Sequence, residues 1–417
     1  MTEHDETMRT LYICYFGLRE PLVQTQVLPY LRQLSNGRID VSLLTFEPNK
    51  HSWSQEEAKE RSDRLQADGI RWFSVSYHKR PSLPATVYDI AAGAWKASLL
   101  VRRYNIDVLH ARAHVPMAMA LLAQRWTGCR LVFDIRGLMA EEYADAGVWS
   151  EGGLKYRAIK WLERVGIKRA DQVVVLTNRM RDWLVENERV NENKVESIPC
   201  CVDLSRFASE ESRDDSRVSK RFEVVYAGSV TGLYLLEEMA QFFLAVRRRR
   251  PDAFFRILTN SSAPETARVL EEVGLASSDF WVGAVPPDQV PAYLHGASLG
   301  LSFRKPAFSQ IAASPTKIAE YLAAGLPVVS NAGIGDIDEL LEICNVGVVV
   351  REFETEAYDE AAGSALRLAA DPGLRARCQS TVAQRFDLVR VGGPGYLSVY
   401  DRIQNRRVAV PDLAAML

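Results

Sequence analysis

Apolar residues in this chain fall in short continuous blocks, separated by stretches where they recur at helical spacing. Residues 11–16 (Leu-Tyr-Ile-Cys-Tyr-Phe) form one block, closed by Gly17, as expected of a strand buried on both faces. From Val23 the spacing becomes helical (Val23, Val27, Leu28, Leu31, Leu34), and Gly37 ends it before a second block at 41–46. This opening β-α-β unit predicts a parallel sheet with helices on both faces. Further blocks predict strands at 70–77, 106–110, 131–135, 172–176 and 195–198. Between them lie a helix over 87–104, with Trp95, Leu99 and Leu100 turned inward, and a long helix over about 154–169. Residues 210–220 hold a single apolar side chain, Val218, and predict a linker at 209–220. The alternation then restarts at 222–228, with strands near 254–258, 280–282, 299–303, 328–330 and 346–350. Two halves of like build predict two doubly wound, Rossmann-like α/β domains, 1–208 and 221–393, facing a central cleft.

The segment from Ser314 to Pro327 carries its own start and stop signals. Ser314 suits an N-cap and Pro315 the first helical position. Gly325 suits the left-handed residue after a helix, and Pro327 prevents continuation. The helix start would then point Thr316 and Lys317 outward beside a buried strand: free N–H groups, a positive dipole end and a cation. Glu320 follows Thr316 by four residues, on the same helix face and about 6 Å along the axis. An anion at the helix start would leave Glu320 in reach of an attached sugar, whose vicinal hydroxyls a carboxylate accepts. The same pattern also describes an ordinary capped surface helix.

Composition narrows the choice. The chain has 417 residues, 47% hydrophobic and 25% charged, with a formal net charge of −2. These values suit a soluble globular protein of two or three domains and give no global basicity for nucleic acid. Six cysteines without C-x-x-C spacing form neither a disulfide framework nor a zinc site. The polar, acidic stretch 1–9 is unlike a secretory signal, and no apolar run approaches the ~20 residues of a membrane span. A cytoplasmic location is expected, with an inner-membrane surface as a variant. The helix over 154–169 bears Lys155, Arg157, Lys160, Arg164, Lys168 and Arg169 beside Trp161 and Leu162. It could lean on an anionic membrane or be an ordinary amphipathic helix.

Strand ends nominate the remaining chemistry, because open α/β sheets bind ligands at their carboxyl edge. The first half would deliver Gly17 and its loop, His110, His114, Asp134 and Arg136 there. His110 and His114 are spaced like a metal pair, but Pro116 argues against a helix and no third ligand follows, so no metal is expected. Asp134 and Arg136 could equally form a plain ion pair. In the second half, Arg304 and Lys305 follow a strand and could clamp a pyrophosphate, or be a surface pair. Asp336-Ile337-Asp338 reads as a capped helix start with Glu339 rather than a metal-binding pair. No nucleophile elbow, Walker loop or dinucleotide fingerprint occurs.

With these residues in hand, the chain resembles the retaining glycosyltransferases of family 4, which have the GT-B fold, in a bacterial polysaccharide or glycoconjugate branch. The resemblance rests on Ser-Pro-Thr-Lys-Ile-Ala-Glu-Tyr-Leu-Ala-Ala-Gly-Leu-Pro-Val-Val from Ser314, on Ile198-Pro199 with Val202-Asp203-Leu204 and Phe207, on 170–177, and on Asp107-Val108-Leu109-His110. It implies transfer of a sugar from a nucleoside-diphosphate sugar to a glycan, lipid-linked or small-molecule acceptor, with no cofactor and no metal. Glu320 would hold the ribose. Gly228, Ser229, Ser314, Thr316 and Lys317 would hold the diphosphate, and His110, Arg304 and Lys305 would act in catalysis. Gly17, Gln26, His114, Asp134 and Arg136 would face the acceptor. A helix from about 394 to 417 would pack back onto the first domain. Two departures stand out: Ala312 occupies the place of the first Glu of the E-x7-E motif, and the loop Gly228-Ser229-Val230-Thr231-Gly232 lacks the family's usual lysine. The first keeps open a non-catalytic sugar-nucleotide-binding subunit, beside a sugar-nucleotide epimerase on the same fold.

Overall fold

The computed structural model describes residues 7–48, 53–80, 82–208 and 221–408. The expected linker at 209–220, and the expected C-terminal helix beyond 408, lie outside the described residues. The chain divides into two compact units. The first holds residues 7–140, 150–198 and 392–408, and the second 141–149 and 199–391.

The first unit is built on seven strands: β1 (Arg9–Cys14), β2 (Asp40–Pro48), β3 (Ile70–Tyr77), β4 (Val108–Arg112), β5 (Arg130–Asp134), β6 (Gln172–Val175) and β7 (Val195–Ser197). Their order is β3-β2-β1-β4-β5-β6-β7, and every pair is parallel. β4 is buried at every position, which is why these strands read as unbroken apolar runs. The order reverses between β1 and β4, where Cys14 lies opposite Arg112. The helix Gly393–Val408 belongs to this unit and buries Tyr396, Val399, Tyr400 and Ile403.

The second unit repeats the plan with β8 (Glu223–Ala227), β9 (Phe254–Leu258), β10 (Phe280–Gly283), β11 (Leu299–Ser302), β12 (Val328–Asn331) and β13 (Gly347–Val350), all parallel, in the order β10-β9-β8-β11-β12-β13. Its reversal falls between β8 and β11. Both units place their crevice where loops on either side of the reversal diverge at the strands' carboxyl ends.

Three expectations change. The helical stretch from Val23 is two helices, Pro21–Gln26 and Leu28–Asn36, broken at Val27 (φ −121°, ψ −64°). Pro29 supplies the reason, having no N–H to continue the ladder. In the helix Ser82–Tyr104, Trp95 and Leu99 point to solvent, whereas Ala94, Ala97, Leu100 and Val101 face the core. At Gly93 that helix lies so close to its neighbours that a Cβ would come within 2.8 Å of Phe46. The first unit also ends at 198 rather than 208, because 199–207 is bonded into the second: Val202 N–H donates to Phe386 O (2.8 Å), and His295 Nε2 meets Phe207 O (3.0 Å).

Candidate functional site

The loops after β8 and β11 and the helix Thr316–Ala323 converge at the reversal point of the second sheet. The helix starts one residue later than its sequence signals indicate. Pro315 is its N-cap, and Ile318 N–H bonds Pro315 O at 3.0 Å. Ser314 is not the cap. Its hydroxyl is turned away to accept from Cys200 N–H at 3.1 Å, fastening the entry of the second unit to this helix. The amides of Thr316 and Lys317 fall in the first turn, where no helical carbonyl is available to them. At the other end Gly325 takes a φ of +81°, as its position after the helix demands.

Lys317 is buried, not turned outward as its place at the helix start suggests. Its Nζ donates to Tyr226 Oη at 2.8 Å and lies 4.0 Å from the ring centroids of both Tyr226 and Tyr234. Two aromatic faces and a phenol oxygen therefore make a cage for the ammonium. Burial pushes the Lys317 amine well below its usual range, the Arg304 charge pushes it further, and Glu320 only partly opposes them. Burial holds the Tyr226 phenol well above its usual range, so it stays protonated and also donates to the Ser229 carbonyl. Gly228 has a φ of +136°, and a Cβ there would meet Lys317 Nζ at 2.8 Å. The loop backbone thus passes directly over the amine, while Ser229 is exposed and its Oγ accepts from Thr231 N–H (3.3 Å).

Arg304 lies beside this cage. Its Nε donates to Gln310 Oε1 (2.5 Å), its Nη1 to Tyr234 Oη (2.9 Å), and its backbone N–H to Asn331 Oδ1 (2.8 Å). The guanidinium is therefore fixed in place, with its carbon 4.7 Å from the Tyr234 ring centroid. Lys305 is exposed and spends its Nζ on the Asp145 carbonyl at 2.6 Å. Arg304 and Lys317 thus share the Tyr234 ring, whereas Lys305, the expected partner of Arg304 in a clamp, is turned to Asp145 O. Glu320 is largely buried, with Arg206 Nη1 3.8 Å from its Oε1. Burial raises its carboxyl above the usual range against the pull of Arg206 and Lys317. Ala312 is fully buried in the short 3-10 segment Phe308–Ala312. The segment 336–339 is not a capping box, since Asp336 makes no side-chain cap bond and Asp338 instead accepts from Gly333 N–H at 2.9 Å.

In the first unit the expected ligand-facing residues are mostly enclosed. His110 is wholly buried: Nδ1 meets Tyr400 Oη at 2.9 Å, and the ring packs on Tyr12 and Tyr396. Burial lowers its imidazole pKa, so it is neutral at pH 7. A side chain sealed by its own unit cannot touch a substrate, so the catalytic expectation for His110 is corrected to a role in the core. His114 is likewise enclosed, with Nε2 3.0 Å from Glu163 Oε2. Asp134 accepts from Tyr396 Oη (2.9 Å) and Tyr12 Oη (3.3 Å), with Arg112 at 3.6 Å and Arg136 at 3.5 Å. Burial alone would raise its carboxyl, but Arg136, His110 and Arg112 outweigh it and hold the group far below the usual range. Gly17 is buried, and the adjacent Leu18 N–H is tied to Glu47 Oε1 (2.9 Å); Gln26 is buried too. Of this group, Arg136 alone keeps partial exposure.

Tyr226, Tyr234, Gln310, Asn331 and Arg206 shape the second-unit site without being read from the sequence. Only Arg206 carried a local signal, three residues beyond the Val202-Asp203 pair.

Two sheets of this strand order, each helix-covered, define the GT-B fold class. The solved structures agree. A glycosyltransferase from Rickettsia africae ESF-5 superposes with TM-score 0.65 at 16% identity, covering 98% of this chain and 100% of that one. Anabaena Alr3699/HepE in complex with UDP and glucose does so with TM-score 0.66 at 13% identity, covering 97% and 100%. The model of Glycosyltransferase Family 4 matches residues 23–206. The chain is 25% identical over 237 residues to an alpha-D-kanosaminyltransferase of Streptomyces kanamyceticus, 54% of this chain and 58% of that one. It is 21% identical over 210 residues to the putative teichuronic acid biosynthesis glycosyltransferase TuaH of Bacillus subtilis (strain 168), 50% and 52%. The chain spans about half the length of the curated relatives it matches. The fold is thus that of the GT-B glycosyltransferases, and residues 23–206 are similar to Glycosyltransferase Family 4.

Proposed function

We propose that this protein transfers a sugar from a nucleoside-diphosphate sugar to an acceptor hydroxyl, with retention at the anomeric carbon, in assembly of a polysaccharide or other glycoconjugate. The carrying observation is the convergence of caged Lys317, fixed Arg304 and the first-turn amides of Thr316 and Lys317 at one sheet reversal, with Glu320 one helical turn on. The bond from the anomeric carbon to the diphosphate oxygen breaks, and negative charge develops on that oxygen. Preorganised cations and amides stabilise it there at no cost of reorganisation. The acceptor oxygen forms the new bond on the same face, and its proton passes to the departing diphosphate oxygen. Glu320, as a carboxylate, accepts from the ribose hydroxyls. Support for the glycoconjugate role comes from the TuaH relative, whose name places it in teichuronic acid biosynthesis.

The buried Ala312 favours one second reading. Where a carboxylate would contact the donor sugar there is a methyl group without solvent access, as in a subunit that binds the nucleotide without transferring the sugar. A thermal-shift screen against nucleoside diphosphates and their sugars tests the binding, since a ligand at 100 times its Kd stabilises by about 2.7 kcal/mol. Nucleoside diphosphate released from a stabilising donor supports transfer. Stabilisation with no release from any donor supports the binding subunit, and no stabilisation by any nucleotide overturns both.

A further inference from the structure

The outer face of the first unit is unlike the rest of the molecule. Three crossover helices, Ser82–Tyr104, His114–Thr127 and Leu154–Arg169, pack side by side on one face of the sheet. Running antiparallel to the strands, all three end toward the sheet's amino edge, opposite the ligand-binding edge. Each turns a tryptophan to solvent: Trp95 is 63% exposed, Trp126 53% and Trp161 67%. Leu99 and Leu122 are exposed one turn before or after these rings. Arg102 Nη2 reaches Trp126 O at 3.4 Å, joining the ends of the first two helices. Between the second and third lies an open groove of about 720 Å³ walled by Leu122, Trp161 and Val165.

Charge on this face is one-sided. The three helices carry ten Lys and Arg but only two acids, Asp89 and Glu163, in a chain whose net charge is −2. Neither acid meets solvent. Asp89 is buried on Tyr15 and His78, and Glu163 on His114 and Lys160. The groove is rimmed by Arg125, Lys168 and Arg169, all exposed.

We propose that this face docks on an anionic phospholipid surface. Indole rings settle at the boundary between headgroups and acyl chains, and basic side chains around them attract anionic headgroups. Apolar groups within a purely cationic rim complement such a surface. A second copy of the same face would instead set cation against cation. Among the described residues no helix is long and apolar enough to cross a membrane, so the contact is peripheral.

The test is co-sedimentation of the full chain with vesicles of phosphatidylcholine alone or with about 30% phosphatidylglycerol, read together with tryptophan emission; each surface cation contributes roughly fivefold to partitioning. Preferential binding to the anionic vesicles, with a blue shift, is expected. Lys168→Glu with Arg169→Glu should lower partitioning at least about 25-fold. Reversing Arg248 and Arg249 of the second unit should leave it unchanged. Trp126→Ser with Trp161→Ser, both at exposed positions, should remove the blue shift while the melting temperature holds. Equal binding to both vesicle types, no binding to either, equal losses in both charge-reversal variants, or concentration-dependent dimerisation abolished by the tryptophan variant would overturn the proposal. Nucleotide-induced thermal shifts should be unaltered in the docking variants, so this result stands apart from that of the donor site.

Discussion

Lys317→Met isolates the caged amine. Methionine keeps the length and most of the volume of the side chain and removes only the charge and its hydrogen bonds. In the ligand-free protein Lys317 is held well below its ordinary pKa, chiefly by burial. For such a group the linked stability is present above the unfolded pKa of about 10.4 and is lost as pH falls through the folded pKa. At neutral pH the charged amine therefore weighs against the native state, and Lys317→Met should melt no lower than the parent. A diphosphate bound beside Nζ reverses the balance. A unit-charge pair at about 4 Å gains roughly 4 kcal/mol at an effective dielectric constant of 20. Truncating one partner of a buried charge pair costs about 2–5 kcal/mol. At about 1.4 kcal/mol per decade, Lys317→Met should bind nucleoside diphosphate roughly 30- to 4,000-fold more weakly. The anion also raises the amine's pKa, so binding should take up a fraction of a proton. Titration calorimetry in buffers of differing ionisation enthalpy measures both quantities. Equal affinity in parent and variant, or no buffer dependence in the parent, would refute the reasoning. Because Lys305 is exposed and turned to Asp145 O, Lys305→Ala should lose far less affinity than Lys317→Met.

Glu320→Gln should weaken nucleoside diphosphate binding by about tenfold or more, the scale of a hydrogen bond to a charged group, yet leave inorganic pyrophosphate affinity unchanged; competition calorimetry separates the two, and parallel losses would remove the ribose role. Since burial raises the Glu320 carboxyl, nucleotide affinity should fall as pH drops through that raised pKa, and Glu320→Gln should flatten the acid limb. Asp134→Asn should destabilise the chain by about 3–5 kcal/mol by leaving Arg112 and Arg136 without their buried carboxylate. The stability carried by Asp134 is present above the ordinary carboxylate range and lost as pH falls below it, because its folded pKa is depressed. Urea unfolding at pH 7 and about pH 3, below the unfolded carboxylate pKa of about 3.9, checks both the size and the narrowing of the difference, and an unchanged midpoint would contradict the burial of that charge.

The central strands were readable because they are buried on both faces. A continuous run such as Val173-Val174-Val175 has few other interpretations once helical stretches flank it. The helix within Ser314–Pro327 was readable because its Gly325 stop, its dipole and its carboxylate are local, although its N-cap fell one residue later than read. What sequence could not supply is the environment of each group. Lys317 is caged by Tyr226, 91 residues away, and His110 is closed over by Tyr400, 290 residues away. Spacing brings a side chain to a strand end but does not reveal what packs on it. For that reason His110 and His114 read as ligand-facing and fold as enclosed, while Trp95 reads as core and folds outward.

The C-terminal helix has a consequence for how the chain is made. Asp134 and Tyr396 are separated by 262 residues, and Thr10 and Tyr400 by 390. At a synthesis rate of about 5–20 residues per second, Asp134 waits roughly 13–50 s for its last hydrogen-bond donor. Meanwhile the first sheet has its charged centre uncovered, and the second unit, nearly continuous from 199 to 391, emerges whole. The second unit is thus free to fold before the first is complete. Until Tyr396 is made, the first unit lacks the helix that covers Asp134, so its completion waits on residues synthesised after the second unit.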